Sequence, residues 1–241
     1  MQTAPHLSGS LQPAAELQSV SRIYGTFAAL RNVSTTFAAG SCTVILGENG
    51  AGKSTLLRIL AGLITPTRGT LTVLAGSPHQ HRGRIAYMSH APMLYDELTA
   101  MENLTYFASL HLDSTCPCVS SPEMALRAVG LDPHLTRTVG QYSQGMRQRA
   151  SLARVLLTSP ELLLLDEPFS NLDVLSAQHM VELLADFRTW PVAPLNGIPR
   201  ARTIILTTHQ AHLAESLADL TLTMRNGEII SRSPRSPEAS L

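Results

Sequence analysis

Lysine is almost missing from this chain: of 18 basic residues one is lysine, Lys53, and the other seventeen are arginine. Cysteine is scarce too. Cys42, Cys116 and Cys118 are too few for a disulfide framework, which fits a reducing compartment. Basic and acidic residues balance at 18 each, so the formal net charge is zero and nothing points to a polyanion-binding surface or a nucleic-acid partner. No apolar run approaches the roughly 18 residues of a membrane span. Met1 to Pro13 lack the charged start and apolar middle of a secretion signal. What is present is 241 residues with 44% hydrophobic content, enough for one large α/β domain or for a core with a subdomain.

The single lysine sits in Gly47-Glu48-Asn49-Gly50-Ala51-Gly52-Lys53-Ser54-Thr55, which fits G-x-x-x-x-G-K-[ST], a phosphate-binding loop. Cys42 to Leu46 upstream reads as a short buried strand and Leu56 to Ala61 downstream as a helix, the context that motif needs. Gly47, Gly50 and Gly52 let backbone N–H groups turn inward around phosphate oxygens, which the helix N-terminus also attracts. Lys53 is expected to reach the β- and γ-phosphates, and the Ser54 hydroxyl to ligate Mg²⁺. A compact ammonium suits that position better than the planar guanidinium used everywhere else in the chain.

Residues 1–14 are small, polar and Pro-containing, and read as a loose tail. Leu17 to Tyr24 and Val33 to Phe37 read as strands, with Tyr24 either a base-stacking ring or a half-buried strand residue. Gly69 to Leu74 and Arg84 to Met88 are further short strands. Asp96 to His111 has helical spacing, with Leu98, Met101, Leu104, Phe107 and Leu110 in one stripe and a capping box at Thr99 and Glu102. Residues 112–122 hold Cys116-Pro117-Cys118. Without two further ligands at suitable spacing this is a surface loop rather than a metal site. Pro122 to Gly130 is a short helix, and Ser143 an N-cap opening another.

Leu162-Leu163-Leu164-Leu165-Asp166-Glu167 describes a strand buried on both faces whose acids emerge at its C-terminal end, the edge where open α/β sheets bind ligands. One carboxylate there can hold Mg²⁺, and a second can polarise an attacking water. Asn171-Leu172-Asp173 opens a helix to Phe187, and 189–202 is a loop without regular period. Thr203 to His209 is a second buried strand ending in histidine. Leu220 to Met224 and Gly227 to Ile230 form a closing hairpin, and Ser231 onward a frayed end.

Taken in order, these motifs resemble the ATP-binding subunits of ABC transporters over about residues 15–232, with tails at 1–14 and 233–241. Gly47 to Thr55 match the Walker A loop, Leu162 to Glu167 the Walker B strand with its catalytic glutamate, Asn171 to Asp173 the D-loop and His209 the switch histidine. Tyr24 falls where the family stacks an aromatic ring on adenine. Tyr142-Ser143-Gln144-Gly145-Met146 matches the family signature. Gln144 and Met146 depart from the usual residues, while Ser143 and Gly145, used against the γ-phosphate, are kept. The family expects a glutamine near position 90, linking Mg²⁺ and the attacking water to the membrane partner. Here His90 stands there. Together with Asp96 to Leu104 and Leu206 to Gln210, it resembles the cytochrome c maturation branch, the haem-exporter ATP-binding subunits.

The resemblance implies an α/β P-loop NTPase of the ABC ATPase fold: a mixed-sheet core, an antiparallel β subdomain and a helical subdomain at about 93–157. It implies ATP and Mg²⁺ as cofactors, with Ser54 and Asp166 on the metal and residues 47–55 with Tyr24 on the nucleotide. Glu167, His209 and His90 would serve catalysis. A homodimer, or a pair with another ATPase subunit, would have Ser143 and Gly145 of one copy closing on ATP held by Lys53 of the other. The partners would be transmembrane permease subunits, and the location peripheral, on the cytoplasmic face of the cell membrane. Export of haem, or of a drug, lipid or polysaccharide, is the expected function. A soluble ABC protein acting on ribosomes or DNA lacks support, since such chains carry two cassettes or a long coiled coil. A non-enzymatic nucleotide-binding regulator is opposed by the intact Asp166-Glu167 pair.

Overall fold

A computed structural model describes residues 12–110, 121–192 and 200–235 of the chain. Five short strands, most of them buried along nearly their whole length, set its layers. They are β3 (Cys42–Leu46), β5 (Ile85–Met88), β6 (Leu162–Asp166), β7 (Thr203–Thr208) and β8 (Leu220–Arg225), flanked in the chain by β1 (Ala15–Tyr24), β2 (Phe27–Phe37), β4 (Arg68–Val73) and β9 (Glu228–Pro234). The order β5-β6-β7-β3-β8-β9 makes a six-stranded sheet, parallel except for the terminal β8–β9 pair. β2, β1 and β4 form a separate antiparallel sheet.

Because side chains alternate across a strand, the leucine run of β6 feeds two cores. Leu163 and Leu165 join Val44, Met88, Ile204 and Leu206 on one face, against α2 (Ala100–Ser109), α3 (Pro122–Ala128), α4 (Gln144–Leu156) and α5 (Val174–Thr189). Leu162 and Leu164 join Ile45 and Ile205 on the other, against α1 (Lys53–Leu60) and the three-stranded sheet. That is why β6 carries no polar residue before Asp166: both of its faces are covered. The short α6 (Ala211–Ala214) follows β7. The fold is therefore the expected mixed-sheet core with an antiparallel sheet beside it. The stretch 93–157 carries α2, α3 and α4.

Several element bounds differ from the sequence-based expectation. α2 starts at Ala100, not Asp96, because Thr99 is extended and caps the helix: its hydroxyl accepts from Glu102 N–H while Glu102 Oε2 accepts from Thr99 N–H. Those donors, the Thr99 amide first and its hydroxyl second, hold the Glu102 carboxyl below its ordinary range. Residues 95–98 form a turn instead, pinned by the buried Asn103 side chain, which donates to Tyr95 O and accepts from Tyr95 N–H. α5 likewise starts after Asp173, whose carboxylate caps Ser176 N–H.

Neither expected tail begins where composition placed it. Ala14 is buried and donates to Phe37 O, and β9 runs through Pro234, whose neighbour Arg235 donates to Asp219 O. Cys116 and Cys118, with most of the 112–122 loop, and residues 193–199 of the second loop lie outside the described residues. Cys42, the one cysteine within them, is buried, and burial pushes its thiol up to about 12.

Candidate functional site

β3, β6 and β7 are neighbours in the sheet, and their C-terminal ends converge on one cleft of about 650 Å³. Residues 48–55 line one wall; Asp166, Glu167, Ser170 and Asn171 line another, with His90, His209 and Gln210 around them. The loop between β3 and α1 is possible only with glycine at its end. Gly52 has φ +100°, and a Cβ there would lie 2.5 Å from Ala29 O. Gly52 is also the N-cap of α1 and offers no side-chain acceptor, so the first-turn N–H groups of α1 receive no side-chain cap. Such donors at the mouth of a cleft suit phosphate.

Lys53 is buried and folds back over its own loop: Nζ donates to Gly47 O (2.7 Å) and Glu48 O (3.2 Å) and lies 3.4 Å from Glu167 Oε1. Asp166 and Glu167 are adjacent in sequence yet differently held. Asp166 accepts hydroxyl donors only: Ser54 and Thr207 on Oδ1, each at 2.9 Å, and Tyr87 on Oδ2 at 3.1 Å. Burial pushes the Tyr87 phenol above its ordinary value, so it is a donor at neutral pH.

Glu167 is itself left-handed (φ +53°), and its N–H donates to both Thr207 O and Thr207 Oγ1. This turn takes the chain out of the strand and brings the carboxylate beside Lys53. Its Oε2 accepts from His209 Nδ1–H (3.0 Å) and His209 N–H (3.3 Å). Its Oε1 is buried and accepts no hydrogen bond, facing only the Lys53 ammonium. A carboxylate oriented by a histidine at the edge of the cleft is the kind of group that can accept a proton from a bound water.

The donor set suits Mg²⁺. Ser54 Oγ and the Asp166 carboxylate are hard oxygen ligands side by side. Among the described residues no group of three His, Cys, Asp or Glu gathers to hold a metal alone. Mg²⁺ commonly takes one or two protein oxygens and completes its shell with phosphates and water, so this sparse set is the kind it uses with a nucleotide.

Four of the expected residues do not line this cleft. Tyr24 ends β1 with its ring under the Arg22 guanidinium (4.4 Å to the centroid), while Phe27, its cross-strand partner in the hairpin, lines the cleft instead. Ser143 and Gly145 stand at the start of α4. Ser143 caps Met146 N–H, and Gly145 packs so closely on Ser176 of α5 that a Cβ would overlap its hydroxyl. Gly47 itself is off the lining, although its carbonyl holds Lys53. Thr207, Tyr87 and Phe27 went unremarked in the sequence. Thr207 matters because β7 lies beside β6 in register, Asp166 opposite Thr207.

The ABC transporter family profile matches residues 30–170, and an AAA-domain profile (putative AbiEii toxin, type IV TA system) matches residues 130–215, overlapping it at 130–170. The uncharacterized ABC transporter ATP-binding protein YxlF of Bacillus subtilis is 35% identical over 213 residues, covering 88% of this chain and 68% of its own length. Nod factor export ATP-binding protein I of Rhizobium johnstonii is 36% identical over 229 residues, 92% of this chain and 70% of its own. Among solved structures, the post-hydrolysis dimer of the ATP-binding cassette MJ0796 with ADP and Pi superposes with a TM-score of 0.78 at 22% identity, over 92% of this chain and 99% of that one, and shows the shared fold. With the phosphate loop, the acidic strand end and the histidine brought to one cleft, the chain belongs to the ABC transporter family as one of its ATP-binding, ATP-hydrolysing subunits.

Proposed function

We propose that two copies of this chain close head to tail around ATP and, at the cytoplasmic face of the cell membrane, drive export through transmembrane permease subunits. The observation that carries the pairing is the position of Ser143 and Gly145. They match the family signature, yet they stand off the cleft that holds Lys53, so the γ-phosphate they serve is one bound by another copy. Among the described residues no helix is long and apolar enough to cross a membrane.

In each cleft the loop amides and Lys53 stabilise charge on the γ-phosphoryl group. Glu167, oriented by His209, takes the proton of the attacking water. Mg²⁺, held by Ser54 and Asp166, would neutralise charge on the β- and γ-oxygens. Tyr24 or its neighbour Phe27 supplies the ring for adenine, and His90 stands on the cleft wall where a glutamine is usual. Closure on ATP and opening after hydrolysis move the permease.

Export is supported by relatives named for it, such as the Nod factor protein. Haem as cargo rests on the resemblance of residues 90–104 and 206–210 alone, and the Nod factor protein is named for a different molecule.

The Glu167→Gln protein tests the scheme. It is expected to bind ATP, to turn it over on the order of a hundredfold more slowly, and to sediment as a dimer when ATP is saturating. Purified from membranes with ATP, it should bring permease subunits, and cytochrome c maturation subunits among them would establish haem. A monomer at saturating ATP sinks the pairing, and recovery of soluble partners alone sinks transport.

A further inference from the structure

Asp166 draws its three hydroxyl donors from three elements: Ser54 from α1, Thr207 from β7 and Tyr87 from β5. They are not equivalent. Ser54 and Thr207 share Oδ1, and Ser54 is itself assigned to the metal under the reading above. Thr207 is further engaged by the Glu167 amide. Tyr87 is the donor to Oδ2.

The fold explains how a residue so far away in sequence reaches that oxygen. β5 and β6 are parallel neighbours with Tyr87 opposite Leu164, so Tyr87 shares a face of the sheet with Leu164 and, two residues on, Asp166. A side chain in a strand leans along it, and a tyrosine is long enough to span that step. The ring is half-buried against the core under α1, with the cationic Arg58 of α1 on the cleft wall. Packing of the ring and the 3.1 Å bond from its hydroxyl together orient the carboxylate.

We propose that Tyr87 is a positioning residue for the divalent cation that accompanies ATP: its hydroxyl sets the orientation in which Asp166 meets the metal. The proposal rests on the assignment of Asp166 and Ser54 to that cation. It gives the chain a second-layer partner of the kind that orients ligands at metal sites, built from the strand that leads into the exposed segment around His90.

The test is Tyr87→Phe, which keeps the ring and removes the hydroxyl. Mn²⁺ serves as the probe, its binding to the full chain followed by electron paramagnetic resonance with a non-hydrolysable ATP analogue present. Mn²⁺ binding is expected to weaken about tenfold, the lower end for losing such a partner. Affinity for the analogue without divalent cation should be unchanged, and ATP turnover should be restored by raising Mg²⁺. Mn²⁺ binding within twofold of wild type overturns the proposal. So does a parallel loss of melting temperature and metal-free analogue affinity with Mn²⁺ binding retained, the pattern of a merely structural tyrosine. If the wild-type chain binds no Mn²⁺ with the analogue, the metal assignment beneath the proposal fails instead.

Discussion

The sheet edge and the signature helix both carry residues matched to ATP, but they are held in different ways. At the sheet edge both carboxylates are fixed by partners far away in sequence, Asp166 by donors from three elements and Glu167 by His209 and Lys53, while Lys53 is itself held by two carbonyls of its own loop. At the start of α4, Ser143 is exposed and its hydroxyl is held within its own turn, by capping Met146 N–H. The first region is preorganised for charge stabilisation inside one chain. The second is ordered only as a helix start, and under the proposed pairing its contacts come from another copy. α4 nevertheless touches both loops of the cleft. Buried Gln148 donates to Pro168 O, just after Glu167, and Ser151 donates to Pro92 O, just after His90.

The sharpest way to break this contrast is at the lysine. Lys53→Ala removes the cation that faces the phosphates and leaves Glu167 Oε1 with neither donor nor counter-charge. Loss of charged hydrogen bonds worth about 1.5–3 kcal/mol should weaken ATP binding on the order of a hundredfold. Equilibrium titration with a fluorescent nucleotide reads this directly, and unchanged affinity would remove the loop from the phosphate site. Lys53→Arg is expected to fail nearly as badly, because a planar guanidinium cannot repeat the two short contacts to Gly47 O and Glu48 O.

A smaller effect tests the tie between the regions. Gln148→Met keeps the volume of a buried side chain but leaves Pro168 O without its donor, a loss of about 1–3 kcal/mol. If α4 and the acidic loop move as one unit, ATP turnover should fall by more than the stability change accounts for. Turnover that only follows the fraction folded in a denaturant titration would make Gln148 a packing residue and no more.

How much of this was readable beforehand divides along the same line. The phosphate loop and the acidic strand are continuous in sequence, so residue type and spacing were enough to place them at a strand end. The leucine run also told that β6 is covered on both faces. What the sequence did not contain was strand order. Thr207 and Tyr87 reach Asp166 only because β7 and β5 flank β6, and no local pattern encodes that neighbourhood. Local chemistry misled at the first turn of α2, where apolar spacing ran on through residues 96–98 but the Thr99–Glu102 box stopped the helix. It misled again at both ends of the domain, where backbone pairing holds residues whose side chains look like tail. In the β1–β2 hairpin, position alone favoured Tyr24, while the geometry brings Phe27 to the cleft.

The finest distinction sets two helix caps side by side. Thr99 and Ser143 do the same local work, each accepting from the N–H three residues on. Replacing either by alanine should cost about 1 kcal/mol, read as a shift in the denaturation midpoint. They differ in what else is asked of them. Thr99 completes a box with Glu102, whose carboxyl sits below its ordinary range. That contribution is therefore present above the unfolded carboxyl value and is lost as pH falls through the folded one. Thr99→Ala should flatten this acid limb and leave turnover per folded molecule intact. Ser143→Ala should leave the acid limb alone and lower turnover, with ATP binding to the single chain unchanged. Equal turnover in the two variants would mean that Ser143 is a cap like any other, and that the second half of the site lies elsewhere on the partner surface.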